Sequence, residues 1–296
     1  MNDLLEAAGP LIGLALAEDL GRDGPPWLPG DITGTACVAP GATGTAWIEA
    51  RQAGVVCGLP LVAEVFRAVA DDEQLECRLA ARDGERVEAG RHLVELRGSL
   101  RAILAGERTA LNFLQRLSGI ATAAAELALL TGGRPAVLDT RKTTPGWRRL
   151  EKLAVRAGGA GNHRQGLHDM YLIKENHIRA AGGIAQAVAA VRAHRAASGT
   201  AVRPLEVEVE VETLGELEQA LALGVEWIML DNFAPDEIPA AVALAAGRAR
   251  LEVSGGIHAG NVLDCARAGV DMVSVGALTH SARAFDCSLL VAKDTR

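Results

Sequence analysis

The sequence predicts an α/β protein in two parts, and three observations carry that reading. At 296 residues the chain exceeds one average domain of roughly 100–200 residues, so it has room for a large barrel or a barrel with a smaller companion. Its second half alternates short β-branched or aliphatic runs with Ala/Leu-rich stretches at helical spacing, which is the signature of βα units. The first hundred residues lack that rhythm and show short strands separated by turn dipeptides.

Each element follows in order. The start, MNDLLEAAGPLIG, has no basic flank of the kind a signal peptide carries, and no apolar run approaches the roughly 18–20 residues of a membrane span; the expectation is a cytoplasmic protein. GRDGPPWLPGD (21–31) is a loop by composition. TAWIEARQAGVVCG and CRLAARDGERVEAGRHLVEL read as an antiparallel meander, with Asp83-Gly84 as one of its turns. From Leu100 to about Ala128 the text has a long helical pattern, interrupted near Ser118-Gly119, that bridges into the second part with a boundary near residue 115. Six candidate strands follow: AVLD (136–139), MYLIK (170–174), LEVEVE (205–210), EWIMLD (226–231), LEVSG (251–255) and MVSVG (272–276). The last three intervals are 21, 25 and 21 residues, the length of one strand, one helix and two loops. GGIAQAVAAVRAHRAA and TLGELEQALALG supply helices, the second opening on Thr213 and Glu216 as a capping box does. Parallel strands joined this way imply an α/β barrel or a large parallel sheet.

Composition narrows the function. Hydrophobic residues make up 49% and charged residues 23%, enough apolar surface for a core. A net charge of −7 offers no global field for nucleic acid or an anionic membrane, so any anion must be gathered locally. The five cysteines (Cys37, Cys57, Cys77, Cys265, Cys287) form no C-x-x-C pair and read as reduced thiols.

In a βα barrel the reactive groups gather at the carboxyl ends of the strands, which open on one face. Thr140, Arg141 and Lys142 follow AVLD; Lys174 ends MYLIK; Glu210 ends LEVEVE; Asp231 ends EWIMLD; Ser254, Gly255 and Gly256 close LEVSG; Val275, Gly276 and Ala277 close MVSVG. A solvated strand end explains any one of these alone. Six in succession describe a mouth with a cationic arc and two acids. Only four lysines stand against 26 arginines, and two of the four fall at strand ends. His163-Arg164, in the Gly-rich stretch GGAGNHRQGLHDM, adds donors suited to a carboxylate. Glu206, Glu208, Glu210 and Glu212 share one strand face, either a solvated edge or a barrel interior whose mouth charges bind a metal or polyol hydroxyls. The two glycine turns, each before a helix, suit a phosphate.

The set DTRKTTPGWR, AVRAGGAGNHRQGLHDMYLIKENHI, EVEVE, IMLDN, EVSGGI and VSVGALTHSA resembles the quinolinate phosphoribosyltransferases. AEDLG before PGDIT, EARQAGVVCGL and GERTALNFLQRLSGIAT extend the resemblance over nearly the whole chain, although the 21–31 loop is longer than the usual spacing. The resemblance implies an open-faced α/β sandwich (1–115), an incomplete, TIM-like α/β barrel (116–280) and a final segment (281–296) returning to the sandwich. It implies phosphoribosyl transfer from 5-phosphoribosyl-1-pyrophosphate to quinolinate with Mg²⁺, releasing pyrophosphate and CO₂ and giving nicotinate mononucleotide for NAD synthesis.

By motif, Arg141, His163 and Arg164 are expected to hold the quinolinate carboxylates, with Arg108 of GERTALN arriving from the partner in a homodimer with shared sites. Lys142 and Lys174 are expected to face phosphates and carboxylate, Glu210 and Asp231 to hold ribose hydroxyls or Mg²⁺, and the glycine turns to hold the 5-phosphate. Lys142, Lys174, Glu210 and Asp231 are the expected catalytic set. Three rivals remain: a molybdenum-associated paralogue of the same fold, a binding barrel without turnover, and a Schiff-base enzyme using Lys174. Intact IKENH and LDN favour the biosynthetic enzyme over the first.

Overall fold

A computed structural model describes residues 2–21, 30–70, 74–197 and 206–292. Most of the expected 21–31 loop therefore lies outside the described residues. Two helices open the chain, α1 (Asn2–Asp19) and α2 (Ile32–Cys37), the latter capped by the Asp31 side chain, which accepts the Gly34 N–H. Strands β1 (Thr43–Ala50) and β2 (Gly54–Val55) lead to α3 (Leu59–Ala70), which buries Leu61, Val62, Val65 and Phe66 along one face. Then come β3 (Leu75–Leu79), β4 (Arg86–Val87) and β5 (His92–Ser99). The pairing is not a simple meander, because β1 lies beside β5, β5 beside β3, and β2 pairs with β4 in a separate ribbon.

Helix α4 (Leu100–Thr131) runs unbroken through the expected interruption at Ser118-Gly119. Those two residues are used for packing, not for a break. A Cβ on Gly119 would lie 2.0 Å from the Arg283 carbonyl oxygen, and the Ser118 hydroxyl accepts the Cys57 N–H at 2.9 Å. An 18-residue stretch of α4 is apolar enough for a membrane span by composition, but half of it is buried, with Phe113, Leu114 and Leu117 in the core.

The second half supplies β6 (Ala136–Leu138), α5 (Arg148–Ala157), β7 (Tyr171–Ile173), α6 (Glu175–Ala181), α7 (Ile184–Ala197), β8 (Val207–Val211), α8 (Leu214–Ala222), β9 (Trp227–Asp231), α9 (Ile238–Ala245), β10 (Arg250–Ser254), α10 (Val262–Ala268), β11 (Met272–Ser274) and α11 (Ala277–His280). The six strands form one parallel sheet in the order β6-β11-β10-β9-β8-β7, an incomplete barrel with no β6–β7 ladder. Thr213 caps α8 as expected, accepting the Glu216 N–H at 3.2 Å. The last strand, β12 (Cys287–Val291), pairs antiparallel with β1, completing a four-stranded sheet β12-β1-β5-β3.

Two compact units result: 1–125 with 144–159 and 281–296, and 126–143 with 160–280. Residue 115 lies within α4, so the change of unit falls further along that helix than the boundary drawn near 115, and the segment carrying α5 belongs to the first unit. There Arg116 holds the fully buried Glu151 at 2.7 Å, and Glu151 also accepts the Thr144 hydroxyl at 2.8 Å. All five cysteines are free thiols.

Candidate active site

The carboxyl ends of the barrel strands open on a cavity of about 420 Å³. Thr140, Arg141 and Lys142 reach it after β6, His163 and Arg164 from the loop before β7, Lys174 after β7, Glu210 from β8, Asp231 from β9, and Ser254 and Gly255 from β10. Eight residues expected from strand-end position, and His163 and Arg164 expected from the Gly-rich stretch, thus line one cavity. Asn232, which follows Asp231 at its strand end, lines it too, as do Ser274, Leu172 and Met229, which were not singled out in the sequence. The last two carried no polar signal; alternation along β7 and β9 points them inward.

Local structure sets each group in place. Asp139, fully buried at the end of β6, accepts the His163 N–H at 2.9 Å and the Asn162 amide at 2.6 Å, tying the His163-Arg164 turn to that strand. The Thr140 hydroxyl accepts the Lys142 N–H, and the Lys142 carbonyl accepts the Thr279 hydroxyl at 2.8 Å. Lys174 is the N-cap of α6, its N–H donated to Nδ1 of His177 at 2.9 Å, so the histidine of KENH fixes the turn that presents the ammonium. Asn232 adopts a left-handed φ of 55° and donates its amide to Asp231 at 2.8 Å. A Cβ on Gly255 would fall 2.2 Å from the Asn232 side-chain oxygen, which is why glycine stands opposite.

The glycine turns divide. Of the first, Ser254 and Gly255 line the cavity and Gly256 does not. Val275, Gly276 and Ala277 do not line it either; Val275 is buried with its N–H donated to the Leu138 carbonyl. Gly276 makes room for the lysine stem, since a Cβ there would sit 3.0 Å from Lys142 Cδ. Arg108 belongs to the first unit and is exposed on α4.

Charge is arranged by side. Burial and the neighbouring Arg141 guanidinium push Arg164 below the ordinary arginine value, as two cations brought together for an anion would be. On the other side the Lys174 ammonium pairs with Glu210. Burial, then the charge of Glu210, raises Asp231 from its ordinary value, against the pull of Lys174 and Lys142.

Beneath the mouth lies a second layer of acids. Glu208 and Glu252 are fully buried, and burial pushes each up to about 8; the charge of Glu208 adds to the rise at Glu252. His163 Nε2 stands 3.1 Å from Glu208 and 3.6 Å from Glu252. These three form the one described cluster with metal-ligand geometry, their donor atoms within 4.8 Å of one another. They do not suit a metal, however. Nδ1 of His163 accepts the Arg164 N–H at 2.7 Å, so the ring hydrogen sits on Nε2, where a metal would need the lone pair. The same bonds turn both ring nitrogens toward protein groups, while His163 also lines the cavity. The hard oxygen donors at the open mouth, Glu210 and Asp231, are the pair suited to magnesium.

Residues 31–118 match the family described as quinolinate phosphoribosyl transferase, N-terminal domain, and residues 120–290 its C-terminal domain. The nicotinate-nucleotide pyrophosphorylase (carboxylating) of Mycobacterium leprae is 40% identical over 288 residues, covering 96% of this chain and 97% of the relative. The probable enzyme of that name from Bacillus subtilis is 41% identical over 243 residues, 82% of this chain and 81% of the relative. The solved nicotinate-nucleotide pyrophosphorylase of Francisella tularensis superposes with a TM-score of 0.86 at 42% identity, covering 97% of this chain and 96% of that one.

Proposed function

The chain belongs to the quinolinate phosphoribosyltransferase family, and on that premise we propose how its barrel mouth carries the reaction. The enzyme transfers the phosphoribosyl group of 5-phosphoribosyl-1-pyrophosphate to quinolinate and decarboxylates the adduct, giving nicotinate mononucleotide, pyrophosphate and CO₂ in NAD biosynthesis. One observation carries the assignment of roles: a single cavity brings Arg141, Arg164, Lys142 and Lys174 together with Glu210 and Asp231 in a protein that is acidic overall. A doubly charged acceptor and a polyphosphate donor need fixed cations of this kind.

Arg141 and Arg164 hold the two carboxylates of quinolinate, while Leu172 and Met229 offer apolar surface to its ring. Lys142 and Lys174 face the donor's phosphates and the acceptor carboxylate. Glu210 and Asp231 bind the ribose hydroxyls, and their negative charge stabilises the oxocarbenium-like centre formed as pyrophosphate leaves, as carboxylates do in glycoside hydrolysis. Lys174 restrains Glu210 until the donor arrives. Ser254 and Gly255 contribute to the 5-phosphate site. After ribosylation the bond from C2 to its carboxylate breaks, the electron pair stays on C2 beside the positively charged ring nitrogen as CO₂ leaves, and water supplies the proton that takes its place, so this step calls on orientation and not on a dedicated base.

Glu210 and Asp231 would hold magnesium, directly or through water and substrate oxygens. Bound there, the ion would neutralise the charge of the leaving pyrophosphate. The same reading includes a homodimer in which the exposed Arg108 completes the partner's quinolinate site, and residence in the cytoplasm. The test is one assay: purified protein with quinolinate, the phosphoribosyl donor and Mg²⁺, following CO₂ and mononucleotide. Coupled release of both is expected, whereas trapping of substrate on Lys174 by borohydride would point to Schiff-base chemistry instead.

A further inference from the structure

The acid layer under the mouth takes no part in the roles above, yet it is built with care. Glu208 and Glu252 lie on strands that flank β9, each fully buried; Oε1 of Glu208 has no hydrogen-bond partner among the described residues, and Glu252 has the Ser274 hydroxyl beside it. Groups so buried carry a desolvation cost that a core of aliphatic residues would avoid. What they touch is the ring of His163, which leans on Trp227 with centroids 5.8 Å apart.

We propose that Glu208 and Glu252 are positioning residues for the quinolinate site: they hold His163 by its Nε2–H, so that Nδ1 accepts the Arg164 backbone N–H and fixes the turn that presents the Arg164 guanidinium to the substrate. The inference rests on the functional reading given above. Its geometry is specific. A ring rotated by half a turn would put carbon where both nitrogens now bond, losing the 3.1 Å contact to Glu208 and the 2.7 Å contact from Arg164 together. Asp139 secures the same turn from the other side through the His163 N–H, so the peptides on both sides of His163 are held. Glu252, at 3.6 Å from Nε2, closes the remaining side of the ring hydrogen. His163 then acts as a neutral spacer between a buried acid pair and a substrate-binding arginine.

The test is steady-state kinetics of the full enzyme with Glu208→Leu, Glu208→Gln and Glu252→Gln. Glu208→Leu leaves the Nε2–H without its near acceptor and is expected to raise KM for quinolinate about tenfold, with kcat and KM for the donor moving no more than about threefold. Glu208→Gln keeps an acceptor oxygen and is expected to recover most of that loss. A lesion of folding alone would lower the active fraction without this split. Should Glu208→Leu fail to fold, nitrogen NMR of wild type and the two Gln variants decides the matter, with the His163 signal assigned by its loss in His163→Gln. The Nε2–H neutral tautomer is expected in wild type. An Nδ1–H tautomer or an imidazolium would overturn the proposal, as would an unchanged KM in an active Glu208→Leu enzyme. Wild-type protein that turns over no quinolinate at all would remove the functional reading and this inference with it.

Discussion

Glu208 and Glu210 stand two residues apart on β8, on the same face of the strand, and meet opposite surroundings. Glu210 is at the mouth with the Lys174 ammonium beside it; Glu208 is one layer down, fully enclosed, with the His163 ring 3.1 Å away. Glu206, a layer below, reaches the exterior and pairs with Arg250 at 3.1 Å, whose guanidinium lies over Trp227. Depth along one strand therefore decides what a carboxylate is: an ion available to substrate at the top, a hydrogen-bond acceptor in the middle, a surface ion pair at the bottom. In the proposed arrangement the barrel mouth divides too, with guanidinium groups assigned to quinolinate and carboxylates to ribose.

The comparison can be broken first through the substrate. Nicotinate lacks one carboxylate, so part of the Arg141 and Arg164 cluster would be left unpaired; rejection by up to about 10⁴-fold in kcat/KM is expected from competition assays. Comparable rates would undo the assignment of the cationic side. Next is the acidic side, where Glu210→Ala or Asp231→Ala should depress kcat by about 10²–10³-fold in initial-rate measurements. The proposed dimer contributes a smaller effect. Inactive Arg108→Ala and Lys142→Ala chains, unfolded and refolded together, should regain up to roughly a quarter of wild-type activity, because half the dimers are mixed and each of those has one intact site. No recovery in verified heterodimers would keep Arg108 out of its partner's site.

The smallest effect concerns the buried layer and pH. Glu252 is pushed up to about 8 from an ordinary 4.5, chiefly by burial. For an acid raised in the folded state, the contribution to stability is fully present below the ordinary value and is lost as pH rises through the raised one. Thermal melts should therefore show Tm falling between pH 5 and 8, and Glu252→Gln should flatten that fall. An equal slope in the variant would mean that Glu252 is already ionised in the folded protein.

Much of this was legible in the sequence because strand ends leave a mark: a hydrophobic run stops and a polar residue follows, as at Lys174, Glu210 and Asp231. The parallel sheet was legible for the same reason. Other features depend on partners far away in the chain. Gly119 reads as a break and is in fact the place where residue 283 packs against α4. The β1–β5 pairing encloses α3, whose Leu61, Val62, Val65 and Phe66 spacing was helical but stood between segments that read as strands. His163 reads as a donor beside Arg164, and its contact with Glu208, 45 residues on, leaves no mark in the sequence. Glu252 gave no sign at all, being one acid in an otherwise ordinary strand.

The division of the mouth is tested most directly by titrating quinolinate into Arg164→Ala and Glu210→Ala calorimetrically, with kcat measured on the same preparations. Arg164→Ala should weaken quinolinate binding by about ten- to a hundredfold, the worth of a charge-assisted hydrogen bond. Glu210→Ala should hold quinolinate within about threefold of wild type while losing turnover. Collapse of quinolinate affinity in Glu210→Ala with turnover preserved, and the reverse in Arg164→Ala, would contradict the account.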